Sequence, residues 1–212
     1  TSGFETQYFP DNINFHGFFQ SYQYFKKYEK EIRDELKLKE DLESFGRDYV
    51  NSLKTNNEKI ISVHIRRGDN SDGTNPEYLN YYGENDILTP DSSFGKYFYP
   101  ALDMFKDDNV KFLVFSGGSR SGMKHNQTDI EWCKKNLTDK KFIFCEGNRD
   151  IQDFAIMKNC DHHITSHMTS FGYWAAFLNN KKGKMVIAPS RYTVPDDGRV
   201  TRGFYPDRWR IL

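Results

Sequence analysis

From Lys111 to Ala188 the chain alternates short apolar runs with amphipathic segments, and this alternation limits the folds open to it. Residues Lys111 to Phe115, Phe142 to Cys145, His163 to Thr165 and Met185 to Ala188 read as strands. Asp129 to Asn136, Asp150 to Asn159 and Ser170 to Leu178 read as helices. In the second of these, Ile151, Phe154, Ala155 and Met157 are expected to face inward. Strands joined through helices by short connections predict an α/β fold: a mostly parallel sheet with helices on both faces.

A further strand precedes this series. Ile60 to Ile65 is β-branched and apolar apart from Ser62 and His64, and it runs directly into Arg66-Arg67-Gly68-Asp69. In open α/β sheets, ligands bind just outside the carboxyl ends of the strands. The strand is therefore expected to deliver two guanidinium forks, suited to phosphate or carboxylate, into a crevice. The plain reading of Arg66 and Arg67 is two surface charges beside a turn. Arg67-Gly68-Asp69 also matches an adhesion tripeptide, but that use needs an exposed loop tip, not a segment fixed to a buried strand.

Upstream, Tyr22, Phe25, Tyr28, Ile32 and Leu36 recur at helical spacing, which predicts one helix over 22–38. Leu42, Phe45, Tyr49 and Leu53 make a second stripe behind Asp41 as N-cap. Residues 54–58 are polar and read as a turn. Residues 70–95, rich in Asn, Asp, Gly, Ser and Tyr, form a long loop expected to sit over the arginines. A helix over 96–106 follows, with Pro100 in its first turn. The aromatic tail around Phe204, Tyr205 and Trp209 is expected to pack back over the domain.

Composition removes several function classes. Acidic and basic residues number 30 each, so the balanced charge argues against a nucleic-acid partner. No apolar run is long enough to span a bilayer. Cys133, Cys145 and Cys160 lack metal-ligand spacing and read as buried small side chains. His162 and His163 point to opposite faces if they lie on a strand, so they read as structural. Dinucleotide and P-loop glycine motifs are not found in the sequence.

A second chemically suggestive stretch is Thr165-Ser166-His167-Met168-Thr169-Ser170-Phe171-Gly172. A strand end enters a helix start through hydroxyl residues, with Thr169 or Ser170 as N-cap. The open N–H groups of that first turn favour an anion. Arginines at one strand end and a capped helix start at another form a pair suited to a diphosphate.

These residues carry a resemblance. His64-Ile65-Arg66-Arg67-Gly68-Asp69 resembles the HxRRGD motif of the α-1,2-fucosyltransferases, which use GDP-fucose. The run from Asp153 to Ala176 is similar to the second motif of the family in its animal-type form, and Phe18 to Phe25 resembles its GFFQS-type segment. The resemblance implies a GT-B-like glycosyltransferase. Residues 1–57 would be the remainder of an acceptor-side domain with linking helices. Residues 58–212 would be a Rossmann-like domain that binds GDP-fucose. It implies inverting, metal-independent transfer of fucose to the 2-hydroxyl of a galactose-terminated glycan. Arg66 and Arg67 would hold the diphosphate, Thr169, Ser170 and Phe171 would bind phosphate at the helix start, and His64 would lie near the nucleotide. Arg66 would also stabilise charge on the leaving GDP, and Asp69 would orient an arginine or act as base. Animal-type membership implies the Golgi lumen and a type II membrane anchor outside this chain. The two sequons, at Asn126 and Asn136, fit that placement. The early glycine-rich segment of the family is expected upstream of Thr1. Where many relatives carry an acidic pair, this chain has Gly117-Gly118.

Overall fold

The computed structural model describes residues 21–71, 78, 80–106, 108–117, 126–167, 169–190 and 203–212; the side chains of 69, 126 and 127 fall outside that description. Six strands form one parallel sheet in the order β3-β2-β1-β4-β5-β6. They are β1 (Lys59–Arg66), β2 (Val110–Gly117), β3 (Phe142–Phe144), β4 (His162–Ile164), β5 (Val186–Ala188) and β6 (Arg210–Ile211). The helices are α1 (Glu29–Glu35), α2 (Glu40–Ser52), α3 (Gly95–Asp103), α4 (Asn126–Asn136), α5 (Asp150–Lys158) and α6 (Ser170–Leu178).

β1 is the central strand and is buried from Ile60 to Ile65. That explains its nearly continuous apolar run, because a parallel strand covered on both faces has no solvent side. Its period of two divides the core. Ile61, Val63 and Ile65 pack with Tyr97, Phe98 and Cys133, the α3 and α4 layer. Ile60 packs with Val50, Ile156 and Ala175, the layer of α2, α5 and α6. Gly46 lets α2 press on α5: a Cβ there would lie 2.3 Å from the Ala155 carbonyl oxygen. α6 is apolar nearly all round because its neighbours cover it nearly all round.

Several expectations change. The helix expected over 22–38 is two 3₁₀ turns, Tyr22–Tyr24 and Lys26–Tyr28, followed by the short α1. Tyr22 and Phe25 pack on Phe177, whereas Tyr28 and Leu36 of the supposed stripe are exposed. α2 begins at Glu40, with Lys39 and not Asp41 as its cap. α3 starts at Gly95, which places Pro100 past the first turn, on the exposed side. In α5, Ile156 takes the inward place expected of Ile151, which is 42% exposed. The three cysteines are free and buried, as the sequence suggested.

The tail packs back as expected and also supplies β6, which no sequence pattern announced. Tyr205 and Trp209 join Tyr22, Tyr173 and Phe177 in one aromatic cluster. There the early and late parts of the chain clasp. The Tyr22 N–H donates to the Phe204 carbonyl at 3.0 Å, and Ser21 Oγ donates to the Gly203 carbonyl at 2.8 Å. Among the described residues, no helix is long and apolar enough to cross a membrane.

Candidate functional site

β1 lies between β2 and β4, and the chain leaves it toward β2 before returning to the other side as β4. The crevice outside the carboxyl ends of β1 and β4 is therefore the switch point of the sheet, where ligands of open α/β sheets bind. Both stretches singled out in the sequence converge there. Ser166 ties them together, since its Oγ accepts the Arg66 N–H at 3.2 Å.

Alternation along β1 separates the two arginines. Arg66 shares the face of Ser62 and His64, on the α6 side. Arg67 turns to the other side, where its fork meets Asp86 at 3.0 and 2.7 Å. Its Nε lies 3.5 Å from Asp129, and its guanidinium lies 4.0 Å from the Trp132 ring centroid. Arg67, expected to help hold a diphosphate, is instead buried and taken up by two carboxylates and an aromatic face. This follows from the pleat, because adjacent residues at a strand end cannot address the same face. Asp129 Oδ2 also accepts the Gly68 N–H at 3.2 Å. Gly68 turns the corner at a φ of 50°, the left-handed region that favours glycine.

The described residues of the 70–95 loop sit over this corner as expected. The Tyr82 hydroxyl donates to the Arg66 carbonyl, and Tyr81 reaches His167 Nδ1. Burial pushes the His167 pKa down to about 3 and leaves the ring neutral.

On the other side of the crevice, Thr169 caps α6 by accepting the Phe171 N–H at 3.2 Å. Ser170 is exposed at the first helical position. The His64 ring lies 5.8 Å from that of Phe171. Gly172 makes the close approach possible: a Cβ there would stand 2.7 Å from His64 Nδ1. That nitrogen is buried without a hydrogen-bond partner among the described residues. Burial, and secondarily the charge of Arg66, pushes the His64 pKa down to about 3. His64 thus presents a neutral ring beside the α6 start.

The site joins His64, Arg66, Thr169, Ser170 and Phe171 around one crevice. The Asp69 side chain, Gly118 and the Phe18 to Gln20 part of the GFFQS-type segment lie outside the described residues. Ser166, Gly172, Tyr82, Asp86 and Asp129 emerge only in three dimensions. Ser166 and Gly172 stood within a stretch singled out in the sequence, whereas Asp129 had no local signal, because its partners Arg67 and Gly68 are about sixty residues earlier. His162 and His163 serve the frame. His162 Nδ1 accepts the Met185 N–H at 2.8 Å, and His163 bridges Ser62 and Asn179, each at 2.7 Å.

A parallel, doubly wound sheet with this crevice at its switch point is the architecture of a GT-B-like glycosyltransferase. The chain belongs to glycosyl transferase family 11, which matches it over residues 3–211, and fucosyl transfer is the activity that this family implies. A comparison with curated proteins finds no match.

Proposed function

We propose that this chain is a galactoside α-1,2-fucosyltransferase that takes fucose from GDP-β-L-fucose and inverts its anomeric carbon. The observation that carries the reading is the convergence of Arg66 with the Thr169-capped start of α6, tied together through Ser166. Arg66 would grip the diphosphate while the Ser170 N–H and the positive end of the α6 dipole complete the anion site, the Phe171 N–H being taken by Thr169 Oγ1. Arg67, held by Asp86 and Asp129, would fix the corner that aims Arg66.

In the reaction, the 2-hydroxyl oxygen of galactose bonds to the anomeric carbon as the carbon–oxygen bond to the β-phosphate breaks. GDP leaves with the electron pair, and its growing negative charge meets Arg66 and the helix start. The hydroxyl proton passes to a base, and Asp69 is the carboxylate proposed for it. Because arginine and the helix dipole supply the positive field, the proposal includes activity without a metal ion. It also places residues 58–212 as the donor half, residues 1–57 on the acceptor side, and the protein in the Golgi lumen.

The test is calorimetric titration with GDP, with UDP as control and EDTA present, followed by fucosyl transfer to a galactose-terminated glycan. GDP-selective binding and transfer under EDTA support the reading. Equal affinity for GDP and UDP, or strict dependence on added Mn²⁺, would defeat it.

A further inference from the structure

At the far end of α6, away from the crevice, a cavity of about 290 Å³ lies between α1, the residues that follow α6, and the approach to β6. Arg33, Lys181, Lys184 and Arg208 line it, and Glu29 is the one carboxylate among its described lining residues. Glu29 is already saturated. It accepts from the Tyr22 hydroxyl at 2.7 Å, from Arg33 Nε at 2.9 Å and from both terminal nitrogens of Arg208 at 3.1 and 2.6 Å. Lys181 pairs with Asp161 at 2.8 Å. Among the described residues, Lys184 Nζ donates to carbonyls alone: Ala176 O at 2.7 Å, Phe177 O at 3.5 Å and Asn179 O. Two guanidinium groups and an ammonium thus share one carboxylate around a part-enclosed space, where charge is poorly screened.

We propose that this cavity binds a tetrahedral oxyanion, sulfate or phosphate, free or as a sugar ester, between Arg33, Arg208 and Lys184. The fork of Arg33 is partly committed, to Glu29 and to Asn180 Oδ1 at 3.1 Å, and its guanidinium lies 4.2 Å from the Phe177 ring centroid. Arginine forks suit such an anion bidentately, and a dianion would relieve the repulsion among the three cations. The repulsion registers on Lys184, whose pKa falls to about 7, first through burial and then through Arg33 and Arg208. Lys158 adds to this effect, and Glu29 opposes it. The site is independent of the donor crevice, and its occupant would pin α1 and the tail to the carboxyl end of the helix whose start caps that crevice.

Titrate the full chain with sodium sulfate by calorimetry, with sodium chloride at matched ionic strength as the blank. Compare Arg33→Gln, Arg208→Gln and Arg66→Ala, each first shown to be folded by near-ultraviolet circular dichroism. The expected result is saturable sulfate binding that survives Arg66→Ala and weakens roughly tenfold or more in Arg33→Gln and Arg208→Gln. Sulfate stays doubly charged near neutral pH, so its affinity is expected to fall between about pH 6 and pH 8.5 as Lys184 loses its proton. Glucose 6-sulfate binding more tightly than inorganic sulfate would identify the ester form. If either cavity variant fails to fold, Lys184→Met is read in its place. Binding that is lost in Arg66→Ala, unchanged in the cavity variants or absent altogether overturns the proposal.

Discussion

Asp129 and Arg67 face each other at 3.5 Å where neither is open to solvent: Arg67 is 4% exposed and Asp129 is 1% exposed. The pair connects α4 to the corner after β1. Removing one member leaves a buried charge without its counter-ion, which costs about 3–5 kcal/mol. Arg67→Ala is expected to lower the urea midpoint accordingly, and Arg67→Lys to recover only part of the loss, because an ammonium cannot reproduce the fork to Asp86. A loss below about 1 kcal/mol in Arg67→Ala would show that the pair does not hold the corner.

Arg66 is expected to behave differently. Arg66→Ala should lower GDP affinity roughly 10- to 150-fold, the value of a charge-assisted contact of about 1.5–3 kcal/mol. Calorimetric titration of the purified variant with GDP reads this loss. GDP affinity equal to that of the unaltered chain would remove Arg66 from the donor site.

Gly172 sets the distance between α6 and β1. Gly172→Ala would place a methyl group 2.7 Å from the ring nitrogen of His64, which is buried and has little room to yield. Overpacking of this kind costs about 1–3 kcal/mol. The variant is expected to lose stability and GDP affinity together, since the helix start must move outward. A crystal structure of the variant with α6 undisplaced would contradict this.

His64 and His167 should make the fold sensitive to mild acid. Both are neutral in the folded chain, with pKa values pushed down to about 3, whereas in the unfolded chain they regain ordinary values. Between about pH 6.5 and pH 3 the unfolded chain therefore binds more protons, so stability falls as pH falls. Each ring contributes up to about 1.4 kcal/mol per pH unit in that window. Urea midpoints at pH 7.0, 6.0 and 5.0 check the slope; a flat profile would mean that the rings are not buried.

The parallel sheet, its central strand and α6 with its Thr169 cap were legible because their signals are local. Ile60 to Ile65 is β-branched and apolar apart from Ser62 and His64, and Ser170 to Leu178 is preceded by its own capping hydroxyl. What escaped depends on distant partners. The period of two at the end of β1 could have separated Arg66 from Arg67, but the two carboxylates that claim Arg67 lie on a loop and a helix that no spacing connects to it. The aromatic spacing over 22–38 misled because Tyr22 is held by the tail and Phe177, and Phe25 by Trp174 and Phe177 of α6, not by a helix of their own. β6 stayed hidden because two exposed residues at a sheet edge leave no pattern.

The clasp between Ser21–Tyr22 and Gly203–Phe204 joins groups 182 residues apart. At roughly 5–20 residues per second, a ribosome needs about 10–40 s to make the second half of that contact after the first. Throughout that interval Tyr22 and Phe25 have no Tyr205 or Trp209 to cover them, and the outer edge of β5 is open to other strands. Until residues 203–212 emerge, the nascent chain therefore carries an uncovered aromatic cluster and an open sheet edge together, an aggregation hazard that ends when the tail folds back.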